Sequence, residues 1–118
     1  MAGGKMKVMN FLEVPQEPAK LEGAYNVRVR WLISEKDGAK NFFMRRFEID
    51  GWTPYHTHPY EHEVLILSGE GVLIGDGIEH RLTEGVFCWI PPNEPHQFKN
   101  TGRGSLCILC LIPSQNER

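Results

Sequence analysis

Four of the five histidines fall at His56, His58, His62 and His96, and the first three lie within seven consecutive positions. Neutral imidazole is the commonest side-chain ligand for divalent transition metals. In an extended segment His56 and His58 share a face. Pro59 then bends the chain, and His62 has the parity of Val64 and Ile66 on the next apolar run. All three can therefore point to one side. A lone histidine in a loop or core implies no metal. A cluster of imidazoles, however, stays neutral and satisfied only where a cation occupies the space between them. Glu63 is a rival ligand to His62, although its parity turns it away from His56 and His58.

Ligands of this kind need rigid supports, and the sequence supplies strands. Eight prolines and twelve glycines punctuate short apolar runs, with almost no helical periodicity. Strands are expected at 27–34, 41–49, 62–68, 72–74, 79–82, 86–90, 96–98 and 106–112. Turns are expected at Gly69-Glu70-Gly71, Gly75-Asp76-Gly77, Gly85 and Pro91-Pro92-Asn93. The fold class this implies is all-β, a single antiparallel β-barrel or jelly roll. Residues 11–22 carry two prolines and little periodicity, so they read as an arm that crosses the surface or pairs with a partner subunit. The organisation is then an N-terminal arm over 1–22 and a barrel domain over 23–118.

Composition narrows the function. A chain of 118 residues closes one hydrophobic core. Apolar and charged fractions of 41% and 24% are ordinary for a folded globular domain. The 13 basic residues against 15 acidic ones give no excess positive field, which argues against nucleic acid and membrane surfaces as partners. No apolar run approaches a spanning length, and the first ten residues lack a signal-peptide pattern, so a cytoplasmic location is expected. Three cysteines without a secretory signal argue against a disulfide framework. Cys107 and Cys110 match C-x-x-C, but three residues apart on a strand they face opposite ways, as core cysteines do.

The motif spacing resembles the cupin family. Gly51-(x4)-His56-x-His58-(x3)-His62, followed by Gly69-Glu70-Gly71, is similar to the first cupin motif, G-x5-H-x-H-x3,4-E-x6-G. Gly85-(x5)-Pro91-x-Asn93-(x2)-His96-(x3)-Asn100 resembles the second, G-x5-P-x-G-x2-H-x3-N. There are departures. The first spacer is one residue short, His62 stands where many cupins have a glutamate, and Asn93 stands where glycine is usual. Asparagine tolerates a left-handed turn better than other non-glycine residues, so that turn is expected to survive. The resemblance to small thermophile cupins with four histidines implies a metal set of His56, His58, His62 and His96. It also points to manganese ahead of iron, while zinc, nickel and copper suit imidazole equally.

Four neutral imidazoles leave the ion's charge uncompensated, which makes it a strong Lewis acid and suits a small organic anion as ligand. Pocket walls are expected from Phe43, Arg45 and Phe47 on one strand and from Ile108 and Cys110 on the last. Arg45 would bind a carboxylate as a fork unless it forms an exposed salt bridge. Cys110 is either a reactive thiol or an inert core residue. Trp52, Tyr55 and Tyr60 flank the histidines. The fold hosts many chemistries, so the site has to decide. With no clearly inward carboxylate to act as acid or base, the first expectation is a dioxygenase-like oxidoreductase acting on a small oxygen-bearing molecule. The alternatives are a non-catalytic anion-binding module and a metal-dependent isomerase or decarboxylase. Leu65 and Leu67 oppose Val64 and Ile66, so both faces of that strand are apolar and a homodimer is expected.

Overall fold

Alternating apolar and polar residues, rich in Val, Ile and Phe, turn most of this chain into strands. The computed structural model describes residues 5–114. The first four residues of the arm and the last four of the barrel domain lie outside the described residues. The strands are β1 (Glu17–Pro18), β2 (Tyr25–Ile33), β3 (Phe42–Trp52), β4 (His62–Ser68), β5 (Gly71–Gly75), β6 (Ile78–Leu82), β7 (Phe87–Ile90), β8 (His96–Asn100) and β9 (Leu106–Pro113). Single-turn 3-10 helices stand at Phe11–Glu13 and Glu35–Asp37. All named strand pairs are antiparallel, in the order β6-β5-β8-β3-β9-β4-β7, with β2 also on β3 and β1 on β2. The sheet curls into a half-barrel. No helix among the described residues is long and apolar enough to cross a membrane.

β3 is the spine of this sheet. It pairs with β2 along one edge and β9 along the other, then reaches β8 through Trp52. The strand runs three residues beyond the end expected from its apolar pattern, through Asp50-Gly51-Trp52, because ladder pairing continues past the last core residue. Gly51 permits the bend: a Cβ there would stand 2.2 Å from the Tyr25 carbonyl oxygen.

Cross-strand register sorts the inward residues into rows. Ile90 pairs with His62 and Ile112 with Phe43; the next row runs Cys88, Val64, Cys110, Arg45 and ends at the exposed Trp31; a third holds Ile66, Ile108, Phe47 and Val29. Burial follows these rows, with Phe43, Val64, Ile66, Ile108, Cys110 and Ile112 all 3% exposed or less. Truncating such a residue to alanine costs about 2–5 kcal/mol.

The arm lies on its own sheet. Pro18 and Glu17 pair with Arg28 and Val29, and the Ala19 amide donates to the Val27 carbonyl. Arg30 donates to the Phe11 and Val14 carbonyls, and the Arg46 guanidinium sits 4.1 Å above the Phe11 ring. The single-turn helix ahead of this contact is closed by a capping box between Asn10 and Glu13. Charge-assisted bonds and stacking thus seat a segment that has little apolar periodicity of its own.

Candidate metal centre

Backbone pairing places each of the four histidines. His62 opens β4 and His96 opens β8, so ladder pairing orients both. His56 precedes β4 and faces His96 in an isolated antiparallel bridge, each amide donating to the other's carbonyl at 3.1 and 2.9 Å. His58 is fixed through its carbonyl, which accepts from the Asn93 amide at 2.8 Å. Asn93 holds the left-handed conformation at φ 66°, as its place in the second motif required. At the motif's other end, Asn100 donates to the Ile49 and Gly104 carbonyls and accepts from the Gly102 amide, pinning the turn after β8.

Together these supports bring all four rings into one cluster. Ring centroids of His56 lie 4.9 Å from His58 and 5.1 Å from His96, and His58 lies 5.0 Å from His96. The His62 ring is 4.2 Å from His58 and 5.3 Å from His96. One nitrogen each from His56, His58 and His96 lies within 4.8 Å of the others, close enough for three histidines to hold one metal ion. His62 packs against that triad and is 6% exposed. Glu63, one residue on, is exposed and lines grooves on the opposite face of the sheet.

The donor chemistry fits a cation. Both ring nitrogens of His62 are buried without a hydrogen-bond partner, a state that costs about 1–3 kcal/mol per unsatisfied group, and a coordinated ion would satisfy one of the two. The His96 Nδ1 donates to the Glu94 carbonyl at 2.8 Å, which leaves its Nε2 lone pair free for the cluster. Burial, reinforced by the neighbouring imidazoles and Arg45, pushes the His58 pKa down to about 4 and that of His62 down to about 2. His56 is lowered by burial and His96, and His96 by burial against the opposing bond to Glu94. Neutral imidazole is the form that ligates, so no proton has to be displaced at neutral pH.

A cavity opens over the cluster. Its polar floor is the four histidines with Thr53 and Tyr60, and its walls are Leu21, Phe47, Phe98, Ile108, Arg45 and Cys110. Arg45, Phe47, Ile108 and Cys110, the wall residues expected from the strand pattern, all line this cavity. Phe43 is not in this lining. It is buried in the core, in register with Ile112. Of the three flanking aromatics only Tyr60 reaches the cavity, stacked on His58 at 4.3 Å and 5°. Tyr55 is exposed, and Trp52 packs on Tyr25.

Leu21, Thr53 and Phe98 line the cavity without having been anticipated. Phe98 shares the face of His96 on β8, a parity signal that was available in the sequence. Thr53 is buried and its Oγ1 accepts from the Phe98 amide. Leu21 comes from the loop between β1 and β2, for which no local pattern exists. Cys88, Cys107 and Cys110 are all free thiols, and burial raises the pKa of Cys110.

Comparison with known proteins agrees with this geometry. Residues 43–112 match the family model described as the cupin domain, more than half of the chain, and the chain belongs to that family. It is similar to the polyketide cyclase RemF from Streptomyces resistomycificus, with 30% identity, a TM-score of 0.90, and coverage of 97% of this chain and 83% of the other. It also resembles a predicted oxalate decarboxylase from Thermotoga maritima, at 26% identity and TM-score 0.81, over 92% and 99% of the two chains. Among curated proteins it is 27% identical to auxin-binding protein 1 of Arabidopsis thaliana over 89% of this chain, and it spans 58% of that protein's length.

Proposed function

From a cupin with an all-imidazole cluster under an apolar cavity, we propose a metal-dependent enzyme that closes a ring in a small, oxygen-bearing, largely apolar carbonyl compound. The observation that carries the reading is the lining itself. Imidazoles occupy the floor, and aromatic and aliphatic side chains make up most of the walls. The likeness to a polyketide cyclase over nearly the whole chain moves ring closure ahead of the oxygenase chemistry expected from sequence.

The ligand set we assign is His56, His58, His62 and His96, with manganese as the first candidate metal, then iron, zinc, nickel or copper. A divalent ion there supplies Lewis acidity, polarising substrate oxygens. The rest is done by the chain. Phe47, Phe98, Ile108 and Leu21 hold a flat hydrocarbon body and exclude water from it. Tyr60 fixes the His58 ring by stacking, and the Glu94 carbonyl fixes the tautomer of His96. Ring closure removes a proton from an enolisable C–H, forms a C–C bond to a second carbonyl carbon, and returns a proton to that carbonyl's oxygen.

No carboxylate lines the cavity among the described residues, and that favours a second reading. Proton abstraction wants a positioned base, and oxidation of the substrate by dioxygen or a peroxide does not demand one from the protein. Replacing the metal separates the two, because zinc does not cycle between oxidation states. Zinc-loaded and manganese-loaded protein are expected to convert an aromatic 1,3-diketone bearing a tethered ketone at comparable rates, without oxygen uptake. Turnover that consumes dioxygen and disappears with zinc would establish the oxygenase instead. No turnover with any metal, alongside tight metal-dependent anion binding, would establish a binding module.

A further inference from the structure

The arginines around β2 and β3 are not satisfied alike. Arg28 pairs with Glu48 and Asp50, Arg46 pairs with Glu48, and Arg30 donates to two backbone carbonyls. Arg45 has a different environment. Its Nη2 donates to the Cys110 thiol at 3.1 Å, a weak acceptor, and its Nε, like those of Arg30 and Arg46, is buried without a partner. Its guanidinium lies over the Phe47 ring at 4.9 Å and over the Trp31 ring at 5.4 Å, two cation–π contacts that hold it in place. It makes no ion pair among the described residues, and it lines the cavity that contains the four histidines.

A planar cation with up to five donors, held rigidly and given only sulfur to bond, is an incomplete hydrogen-bonding group at a site meant for something else. The side chain cannot lose its charge to escape the mismatch. We propose that Arg45 is the anion-recognition residue of this cavity, and that the molecule taken there is a planar organic anion whose carboxylate, enolate or phenolate oxygen replaces the Cys110 thiol as its partner. The apolar walls hold the ring or chain of that molecule, and Arg45 sets which end points into the β9 side of the cavity. This rests on the reading of the cavity as the substrate site.

Benzoate and benzamide, nearly the same shape and different in charge, test this by calorimetry and by the fluorescence of the adjacent Trp31. Measurements at pH 8 keep the imidazoles neutral, and they are made on metal-free and manganese-loaded protein. Wild-type protein is expected to prefer benzoate by about ten- to a hundredfold in both forms, the range of a charge-assisted hydrogen bond. Arg45→Met should bind both probes alike. Arg45→Lys, which keeps the charge and most of the stem if the methionine variant fails to fold, should retain only part of the preference. An undiminished preference in either variant overturns the inference, as does a wild-type preference that is missing or that vanishes with the metal. Failure of ring-closure turnover leaves these binding ratios unchanged, so the two readings fail separately.

Discussion

The two faces of strands β4, β7 and β9 are built from opposite choices. Inward, they hold the deeply buried His62, Val64 and Cys110, with the half-buried Arg45 of β3 beside Cys110; the His62 ring nitrogens have no partner and the Arg45 guanidinium has only a thiol. Outward, the same strands show Leu65, Phe87 and Trp89, exposed by 40%, 80% and 59%. Trp89 donates to Glu61 at 2.6 Å, and the grooves between these side chains are lined by Glu63 and Leu111. An ordinary half-buried sheet is apolar inside and polar outside. Here the polar groups that cost stability face in and the apolar groups that could gain it face out, so neither face is optimised for the isolated domain alone.

Neighbouring residues on the two faces give the largest contrast. His62→Ala is expected to lower metal affinity on the order of a hundredfold or more, beyond the range for residues that merely support a ligand. Glu63→Ala, on the other face, should leave metal content unchanged. Metal analysis after dialysis against a limiting chelator checks both. An emptied site in the glutamate variant and a full one in the histidine variant would reverse the assignment of faces.

A smaller effect is expected from pH in the metal-free protein. The folded-state pKa of His62 lies near 2 and that of His58 near 4, both below the unfolded value of about 6.5. Between those limits the unfolded chain binds more protons, so stability is complete above about pH 6.5 and falls as pH drops toward the folded values. His62 alone should remove about 2 kcal/mol between pH 7.5 and pH 5. Urea denaturation at the two pH values measures this, and His62→Gln should flatten the slope. A profile flat in the wild type would mean that these imidazoles are better solvated than their burial indicates.

The smallest effect on folding is expected from the outer face, where the sequence suggested a homodimer. Sedimentation at micromolar concentration should give a dimer, and Phe87→Glu with Trp89→Glu should shift it toward monomer. The unfolding free energy of the monomer in urea should change by no more than about 0.5 kcal/mol per site. A wild type that is monomeric, or a double variant that remains fully dimeric, removes this face as the contact.

How far the sequence could be read follows from the range of each signal. His62, Val64 and Ile66 announce one face through parity alone, and the two motifs place His56, His58 and His96, because strand geometry is local. The strand positions were legible for the same reason. Sheet order was not, since pairing of β3 with β9 joins Phe47 to Ile108 across a long stretch of chain with no local trace. The same holds for the thiol that meets Arg45 and for Leu21 delivered by the arm. Parity says which way a side chain points; only register says what lies beside it.

The reciprocal backbone bridge between His56 and His96 has a thermodynamic consequence. Two donors that sit opposite each other in a ladder cannot separate without giving up two amide hydrogen bonds, so their spacing is fixed by the fold before any ion arrives. Unlike a finger whose chain is ordered by its metal, this domain owes its order to its core, and an ion adds stability only by mass action on a finished site. Chelation should then lower the melting temperature while leaving the sheet intact, and the spacing of the donors should select among ions by radius.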